Sequence, residues 1–407
     1  MMAPALRYED VRALLDQNFS AQTKAETVAI DAALGRRAYR DITSKVTLPE
    51  TVNAAVDGYG IAANELEENP TKPFPIIGMA KAGHPFQGAV PKGSAVRIFT
   101  GAVMPEGIDC VMMQEFCDET EGHVTFRKAI SAGKNARPAG ENLQNGEVII
   151  TKGELITPAH IGQLAAAGIT DIKVCAPVKV AVLSTGDELV PSGQSEGKAV
   201  GQIYDSNRPM VMAMLEKAGC QAIDGGIIPD KPDALRTALE HHYAICDVVI
   251  ITGGAADGIE DHTKTAFDAI GAQTLSRFVA IKPGRPFGAA RKGDTALFSL
   301  PGNPVAVYVC FLLFVEPVLQ KKMANVPFAL SELYVPSGFS VSKPANERAE
   351  FMRVSLSLTE EGQTVMLPYG RKGAGVLSSL TGADGLAELP FESQQINQGD
   401  MLRFIPF

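Results

Sequence analysis

The stretch DVVIITGGAADGIEDHTK (247–264) decides how the chain folds. Val248, Val249, Ile250 and Ile251 form a continuous apolar run, which predicts a strand buried on both faces. Thr252-Gly253-Gly254 breaks it, small residues follow, and Asp261 is placed to cap a helix over DHTKTAFDAI. A buried strand that stops at Gly-Gly before a helix lies at the carboxyl edge of a parallel sheet, where open α/β folds bind ligands. Glycine lets the backbone approach an anion closely, and free amides at the next helix start can hold phosphate. Thr-Gly-Gly after a strand is also an ordinary tight turn, so the neighbouring segments have to decide between the two.

Outward from this stretch, residues 178 to about 319 read as βα repeats. VKVAVLS is a strand ending in Thr185-Gly186-Asp187-Glu188. DSNRPMVMAMLEKAG is a helix with Asp205 or Ser206 as cap and Gly219 at its end. QAIDGGII, RFVAIK and TALFSL are further strands, PDALRTALEHHYA is a helix, and PVAVYVCFLLFVEPVL is a last helix, apolar all round and therefore buried. The alternation implies a parallel, doubly wound sheet of about 140 residues.

Four polar or Gly-rich turns fall at the same edge of that sheet: Thr185-Gly186-Asp187-Glu188, Thr252-Gly253-Gly254, Lys282-Pro283-Gly284-Arg285-Pro286 and Pro301-Gly302-Asn303-Pro304. Together they outline a crevice. Lys282 and Arg285 on a turn stiffened by two prolines suit a phosphate or other oxyanion, although a solvated turn would carry charge too. Pro301-Gly302-Asn303-Pro304 opens the apolar helix and offers amides as a second anion site. Asp187, Glu188, Asp205 and Asp261 bring carboxylates close by. Carboxylates beside phosphate call for a bridging cation, and oxygen-only ligands suit Mg²⁺; for Asp205 and Asp261 a helix cap serves equally well. No GxxxxGK[ST] and no GxGxxG occurs, so a common nucleotide-binding loop is not supported. His262 stands alone beside Asp261.

On either side of the α/β segment the pattern is β. Residues 48–140 are rich in Pro and Gly with short β-like runs, which predicts a small all-β domain. Within it lie two polar islands, Asn53 to Gly60 with Asp57-Gly58 as a turn signal, and Arg97 to Pro105 with Thr100 and Gly101. Residues 7–17 have the spacing of an amphipathic helix, and TPAHIGQLAAAG has a Thr cap, Pro in the first turn and Gly at the end. These two helices are expected to pack together, with the β domain inserted between them. The division is then 1–47 and 141–177 for a discontinuous helical domain, 48–140 for the inserted β-rich domain, 178–328 for the α/β domain and 329–407 for a C-terminal β domain.

The whole-chain properties set limits. At 407 residues the chain exceeds one ordinary core. A formal net charge of −9 argues against nucleic-acid binding through a basic face. Six scattered cysteines without CxxC spacing read as small buried hydrophobes. MMAPALRYEDV lacks an apolar core followed by a cleavage site, and the apolar run from Val305 to Val315 is too short to span a bilayer. The expectation is a cytoplasmic protein without membrane or nucleic-acid partners.

The motifs AAVDGYG (54–60), RIFTGAVMPEG (97–107), RPAGEN (137–142), VLSTGDEL (182–189), GQIYDSN (201–207), VVIITGGAADGIEDHTK (248–264), AIKPGRPF (280–287) and LPGNPVAV (300–307) resemble, in order and spacing, the molybdopterin molybdenumtransferases of the MoeA/gephyrin E-domain family. The resemblance covers nearly the whole chain. It implies a cytoplasmic homodimer of four-domain subunits whose α/β domain is similar to the molybdopterin adenylyltransferase fold. The implied site is shared between that domain of one subunit and the β-rich domain of the other. The implied reaction takes adenylylated molybdopterin and molybdate, inserts the metal at the dithiolene and releases AMP with Mg²⁺ assisting.

Carried over by position, Asp57, Glu188, Asp261, Lys282 and Arg285 are catalytic. Thr100, Gly101, Thr185, Gly186, Thr252, Gly253, Gly254, Lys282, Pro301, Gly302 and Asn303 bind the pterin substrate, and Asp57, Asp187 and Asp261 hold the metal. The implied partners are a molybdopterin adenylyltransferase and the proteins that mature molybdoenzymes. The chain departs from the family's usual residues at Asn142, where an acid is usual, at Ala256 and Ala374, where hydroxyls are usual, and at Arg285, where lysine is usual. A molybdopterin adenylyltransferase activity or a non-catalytic molybdopterin carrier or scaffold are the alternatives the same residues leave open.

Overall fold

The structure is a computed structural model that describes residues 5–21, 24–68, 71–193, 198–253, 262–326, 333–344 and 348–407. The chain forms two compact units. One is Thr27–Val174; the other joins the N-terminal residues up to Glu26 with Cys175–Phe407.

The larger unit is built on a six-stranded sheet in the order Gln221–Ile228, Lys179–Thr185, Val248–Thr252, Thr295–Leu300, Pro286–Lys292, Gln273–Phe278. The first four strands are parallel, as the βα pattern requires. Val248 to Ile251 are fully buried, because helices cover both faces. Leu235, Leu239, Ala266 and Phe267 from two helices pack with Ala181, Leu183, Val249 and Ile251 on one face.

The expected all-parallel sheet is corrected at its far end. Pro286–Lys292 runs antiparallel to Thr295–Leu300, and Gln273–Phe278 antiparallel to Pro286–Lys292. The strand PFGAARK was missed because no helix separates it from TALFSL. A tight turn at Gly293, with φ +57°, makes a hairpin instead.

The apolar helix runs from Pro304 to Ala324 with a π-helical stretch at Phe311–Val315. Among the described residues it is the one helix long and apolar enough to cross a membrane, but Val305, Val307, Val309, Phe311, Phe314 and Val318 are core residues. Pro317 has no N–H to offer the carbonyl four residues back, that of Leu313. The buried guanidinium of Arg12 donates to that carbonyl at 2.7 Å.

That contact also corrects the placement of the N-terminal helix, Tyr8–Asn18. It was expected beside the helix Pro158–Ala166. It packs instead on the Pro304–Ala324 helix, with Val11 and Leu15 buried. Lys321 donates to Asp16 at 2.5 Å, and Tyr8 donates to Glu388 of the C-terminal sheet at 2.6 Å.

The C-terminal sheet runs Ile281–Lys282, Ala349–Leu358, Gly385–Leu389, Met401–Pro406, Tyr334–Pro336, with Thr364–Pro368 also paired to Ala349–Leu358. Its first strand comes from the α/β segment. Ile281 and Lys282 pair in parallel with Ala349 and Glu350.

The smaller unit holds a six-stranded sheet in the order Cys110–Met113, Gly58–Ile61, Ala95–Ile98, Phe74–Ala80, His123–Phe126, Cys117–Thr120, as the β-like runs implied. The flanking segments contribute the strand pair Ile42–Thr43 with Val148–Ile150 and the helix Pro158–Ala166. Thr157 caps that helix in a capping box with His160.

Gly58 lies where Gly58–Ile61 pairs with Cys110–Met113, and a Cβ there would stand 1.8 Å from the Met112 carbonyl oxygen. Backbone cannot give way cheaply at that distance. Gly58→Ala is expected to destabilise the protein by about 1–3 kcal/mol or more, read as a lower urea midpoint. An unchanged midpoint would show that the strands separate freely.

Candidate active site

The turns singled out in the sequence do meet at one sheet edge. Those after Lys179–Thr185, Val248–Thr252 and Thr295–Leu300 follow parallel strands. Gln273–Phe278 runs in the same sense, so the segment 279–285 that returns the chain to Pro286 lies at that edge too.

Gly253 ties the edge together. Its amide donates to Leu300 O at 3.2 Å, its φ is +90°, and a Cβ would stand 2.3 Å from Thr185 O. Only glycine fits so close an approach with that backbone. The hydroxyl of Thr252 is buried against Ser184 Oγ at 3.1 Å.

Thr185 donates to Asp230 Oδ1 at 3.0 Å, and Asp187 and Asp230 exchange backbone-to-carboxylate bonds at 3.3 and 3.2 Å. Asp230 thus sets the shape of the Thr185–Glu188 turn. The sequence reading passed over it; the available signal was an acid two residues after the strand QAIDGGII. The Asp187 and Glu188 side chains stand exposed. Asp205 is 2% exposed and is held by Arg208, whose amide and Nε donate to it at 3.2 and 3.0 Å, so it serves as a cap. Gly254, Ala256 and Asp261 lie outside the described residues.

Among the described residues no group of three or more His, Cys, Asp or Glu is arranged to hold a metal. Mg²⁺ needs no such cage, since it keeps several waters and takes one or two carboxylates with substrate phosphate. Asp187 and Glu188, adjacent and exposed at the ligand edge, fit that requirement.

A cavity of about 460 Å³ opens between the 281–286 turn and the C-terminal β domain. Lys282 and Arg285 line it from the α/β side, with Pro301 and Asn303. Lys343, Arg348, Arg353, Arg371 and Lys372 line it from the C-terminal domain, and Glu350 is the one acid among the described lining residues. Lys282 Nζ lies 3.2 Å from Glu350 Oε2, and Arg285 lies over the Phe278 ring at 4.9 Å. Burial holds the pKa of Lys343 below the ordinary lysine value, against the opposing charges of Glu350 and Glu392. The Thr185–Glu188 turn and Thr252-Gly253 are not part of this cavity.

The helix start at Pro304 differs from expectation. Pro304 has no N–H, and the Val305 amide donates to Ala374 O at 3.0 Å. The amides proposed as an anion site are thus partly used to dock the loop that carries Ala374. Ala374 lines the cavity, where the family resemblance would place a hydroxyl.

In the smaller unit the two polar islands come together. Asp57 Oδ1 accepts from both the amide and the hydroxyl of Thr100, each at 2.8 Å. Asn53 donates to Gly101 O at 3.2 Å, and the Gly101 amide donates to Ala54 O at 2.8 Å. Those two bonds from Thr100 hold the Asp57 carboxyl below the ordinary aspartate pKa, so it is ionised at neutral pH. Asn142 is exposed, and its amide donates to Leu48 O at 3.0 Å.

Comparison with known proteins covers the chain from end to end. The MoeA N-terminal region (domain I and II) matches residues 6–168, a probable molybdopterin binding domain matches 181–321, and the MoeA C-terminal region (domain IV) matches 338–407. A molybdopterin molybdenumtransferase of Haemophilus influenzae is 33% identical over 403 residues, covering 99% of this chain and 98% of that one. One from Bacillus subtilis is 32% identical over 383 residues, covering 92% and 87%. A solved structure of a molybdopterin biosynthesis MoeA protein from Pyrococcus horikoshii OT3 matches with a TM-score of 0.85 at 27% identity, over 99% of this chain and 100% of that one. The chain belongs to the MoeA family.

Proposed function

We propose that the protein is a molybdopterin molybdenumtransferase: its substrates are adenylylated molybdopterin and molybdate, the metal is inserted at the dithiolene, and AMP is released. The observation that carries this reading is the cationic cavity, whose described lining residues include seven basic side chains and one acid. Such a surplus of fixed cations suits an anionic substrate. It stands in a chain whose relatives are named for this transfer along their full length.

Lys282 and Arg285 hold anionic oxygens of the substrate, with the arginine able to bind two at once. The Thr185-Gly186 and Thr252-Gly253-Gly254 turns, with Pro301, Gly302 and Asn303, shape the pterin side. Asp187, Asp261 and Asp57 would hold Mg²⁺, which supplies neutralisation of the phosphate charge. Glu188 and Asp261 act on the substrate. Asp57 is kept ionised and oriented by Thr100, which suits a carboxylate that handles a proton or an oxyanion ligand during metal exchange. The protein is cytoplasmic and works as a homodimer whose sites draw on both copies. A molybdopterin adenylyltransferase supplies its substrate, and molybdoenzyme maturation proteins receive its product.

Lys282→Ala and Arg285→Ala are each expected to weaken binding of adenylylated molybdopterin roughly ten- to hundredfold, the worth of a charge-assisted contact. Titration calorimetry measures this; unchanged affinity in both variants would reduce the pair to surface charge.

Asp57→Asn keeps an oxygen for Thr100 but removes the charge. Pterin binding and thermal stability should stay near those of the parent, while molybdate-dependent AMP release falls about 100-fold or more. A variant that turns over normally would leave Asp57 as a turn residue. Mixing Asp57→Asn with Lys282→Ala protein should restore part of the activity, through a hybrid site that carries neither change. No recovery in verified heterodimers would rule out sites built from both copies.

A further inference from the structure

The sheet of the smaller unit brings a cation to Asp57. Asp57 precedes the strand Gly58–Ile61, Thr100 follows Ala95–Ile98, and Gln114 follows Cys110–Met113. Gly58–Ile61 is antiparallel to both neighbours, so the three strand ends meet at one edge. Gln114 joins them. Its amide donates to Asp57 O at 3.1 Å, and its side-chain Oε1 accepts from Arg97 Nη2 at 2.6 Å. Arg97 lies directly opposite Tyr59 in the strand pairing, and its guanidinium stands 4.7 Å over the Tyr59 ring. Tyr59 is 3% exposed, so this platform is part of the core. Phe99, two residues along on the same strand face, offers a second ring at 5.3 Å.

This arrangement holds a charge without cancelling it. Gln114 and the two rings are neutral partners. Glu119, the acid beside Tyr59, accepts from the Tyr59 hydroxyl. Among the described residues Arg97 has no carboxylate in ion-pair contact. Asp57 spends Oδ1 on Thr100, so the two opposite charges stand near each other but are each held by a third residue. A guanidinium has more N–H donors than one amide oxygen can use, in a planar fork that matches a phosphate. Stacking and the Gln114 bond fix its orientation before any ligand arrives, which lowers the cost of binding.

We infer that Arg97 is a further substrate-binding residue, a pre-oriented cation that takes a phosphate oxygen of adenylylated molybdopterin beside Asp57, with Gln114 as its positioning residue. The inference rests on the transferase reading and adds what that reading needs in the β-rich domain. An acid facing an anionic substrate alone repels it, and a cation at its side offsets the repulsion. The partly buried Phe99 ring next to the guanidinium suits a ligand in which phosphate is joined to larger, partly apolar groups, and molybdate brings none.

The test uses the full-length protein. Binding of adenylylated molybdopterin is titrated, and steady-state AMP release is followed with that substrate and molybdate varied in turn. Arg97→Ala is expected to weaken binding and raise the KM for adenylylated molybdopterin roughly ten- to hundredfold, with the KM for molybdate near the parent's. Gln114→Ala keeps the charge but lets it move, and should weaken binding about three- to tenfold. The double variant should lose no more than Arg97→Ala alone, because Gln114 acts through Arg97. If Arg97 only covers Tyr59, Arg97→Ala lowers the urea midpoint and leaves substrate affinity unchanged, and the inference is overturned. A rise confined to the KM for molybdate, or losses that add in the double variant, would count against it equally. Should Arg97→Ala fail to fold, Gln114→Ala decides, and unchanged affinity there sinks the idea. A parent that does not bind adenylylated molybdopterin at all would remove the transferase reading, and this inference with it.

Discussion

The cavity depends on how one buried cation is satisfied. Arg353 is 8% exposed in the middle of the strand Ala349–Leu358, a position a hydrophobic residue would normally take. A guanidinium there needs partners for its N–H groups, or the strand would not tolerate it. It finds them in Ser379 Oγ at 3.1 Å and in the carbonyls of Arg371 and Gly373 at 3.1 and 3.2 Å. Those carbonyls belong to the loop that also carries Arg371, Lys372 and Ala374 into the cavity. The same loop is fastened at its other side by the Val305 amide on Ala374 O, at the start of the core helix. Arg353 therefore acts at two levels. It lines the cavity, and it fixes the loop that supplies part of the remaining positive charge.

Much of this was legible in the residues. The apolar run from Val248 to Ile251, its break at Gly253 and the recurrence of such breaks after neighbouring strands placed the turns at one sheet edge, because buried parallel strands leave no other pattern. Lys282 and Arg285 were visible as cations on a turn stiffened by two prolines. Three things were not legible, each for a physical reason. The antiparallel end of the sheet hides in PFGAARK because a hairpin needs only a tight turn at Gly293 and leaves no helical period to announce it. The N-terminal helix has an apolar face that says it packs, but not on what. Its partner is chosen by Arg12 meeting the Leu313 carbonyl, a contact across some three hundred positions. The C-terminal cations are spread along a β pattern whose spacing encodes only inside and outside. Arg353, an arginine two positions from the buried Phe351 on the same face of its strand, was the available hint.

The carboxylates divide by how fully their oxygens are used. Asp205 spends both oxygens on Arg208 and is structural. Asp230 is committed to Thr185 and to Asp187, and so holds a turn without facing a ligand alone. Asp57 has one oxygen fixed twice by Thr100, which orients the carboxylate and keeps it charged without covering it. Glu350 has one oxygen on Lys282, and its other, buried oxygen has no donor among the described residues.

The overall charge of −9 makes the cavity more selective than its cations alone would be. A negative protein repels polyanions such as nucleic acid at long range, where charges sum. Inside a concave, partly buried site the local cations dominate, because screening by salt and water is weaker there than on an open surface. The seven cations among the described lining residues, gathered from two domains, thus admit a small anion while the rest of the surface turns large ones away.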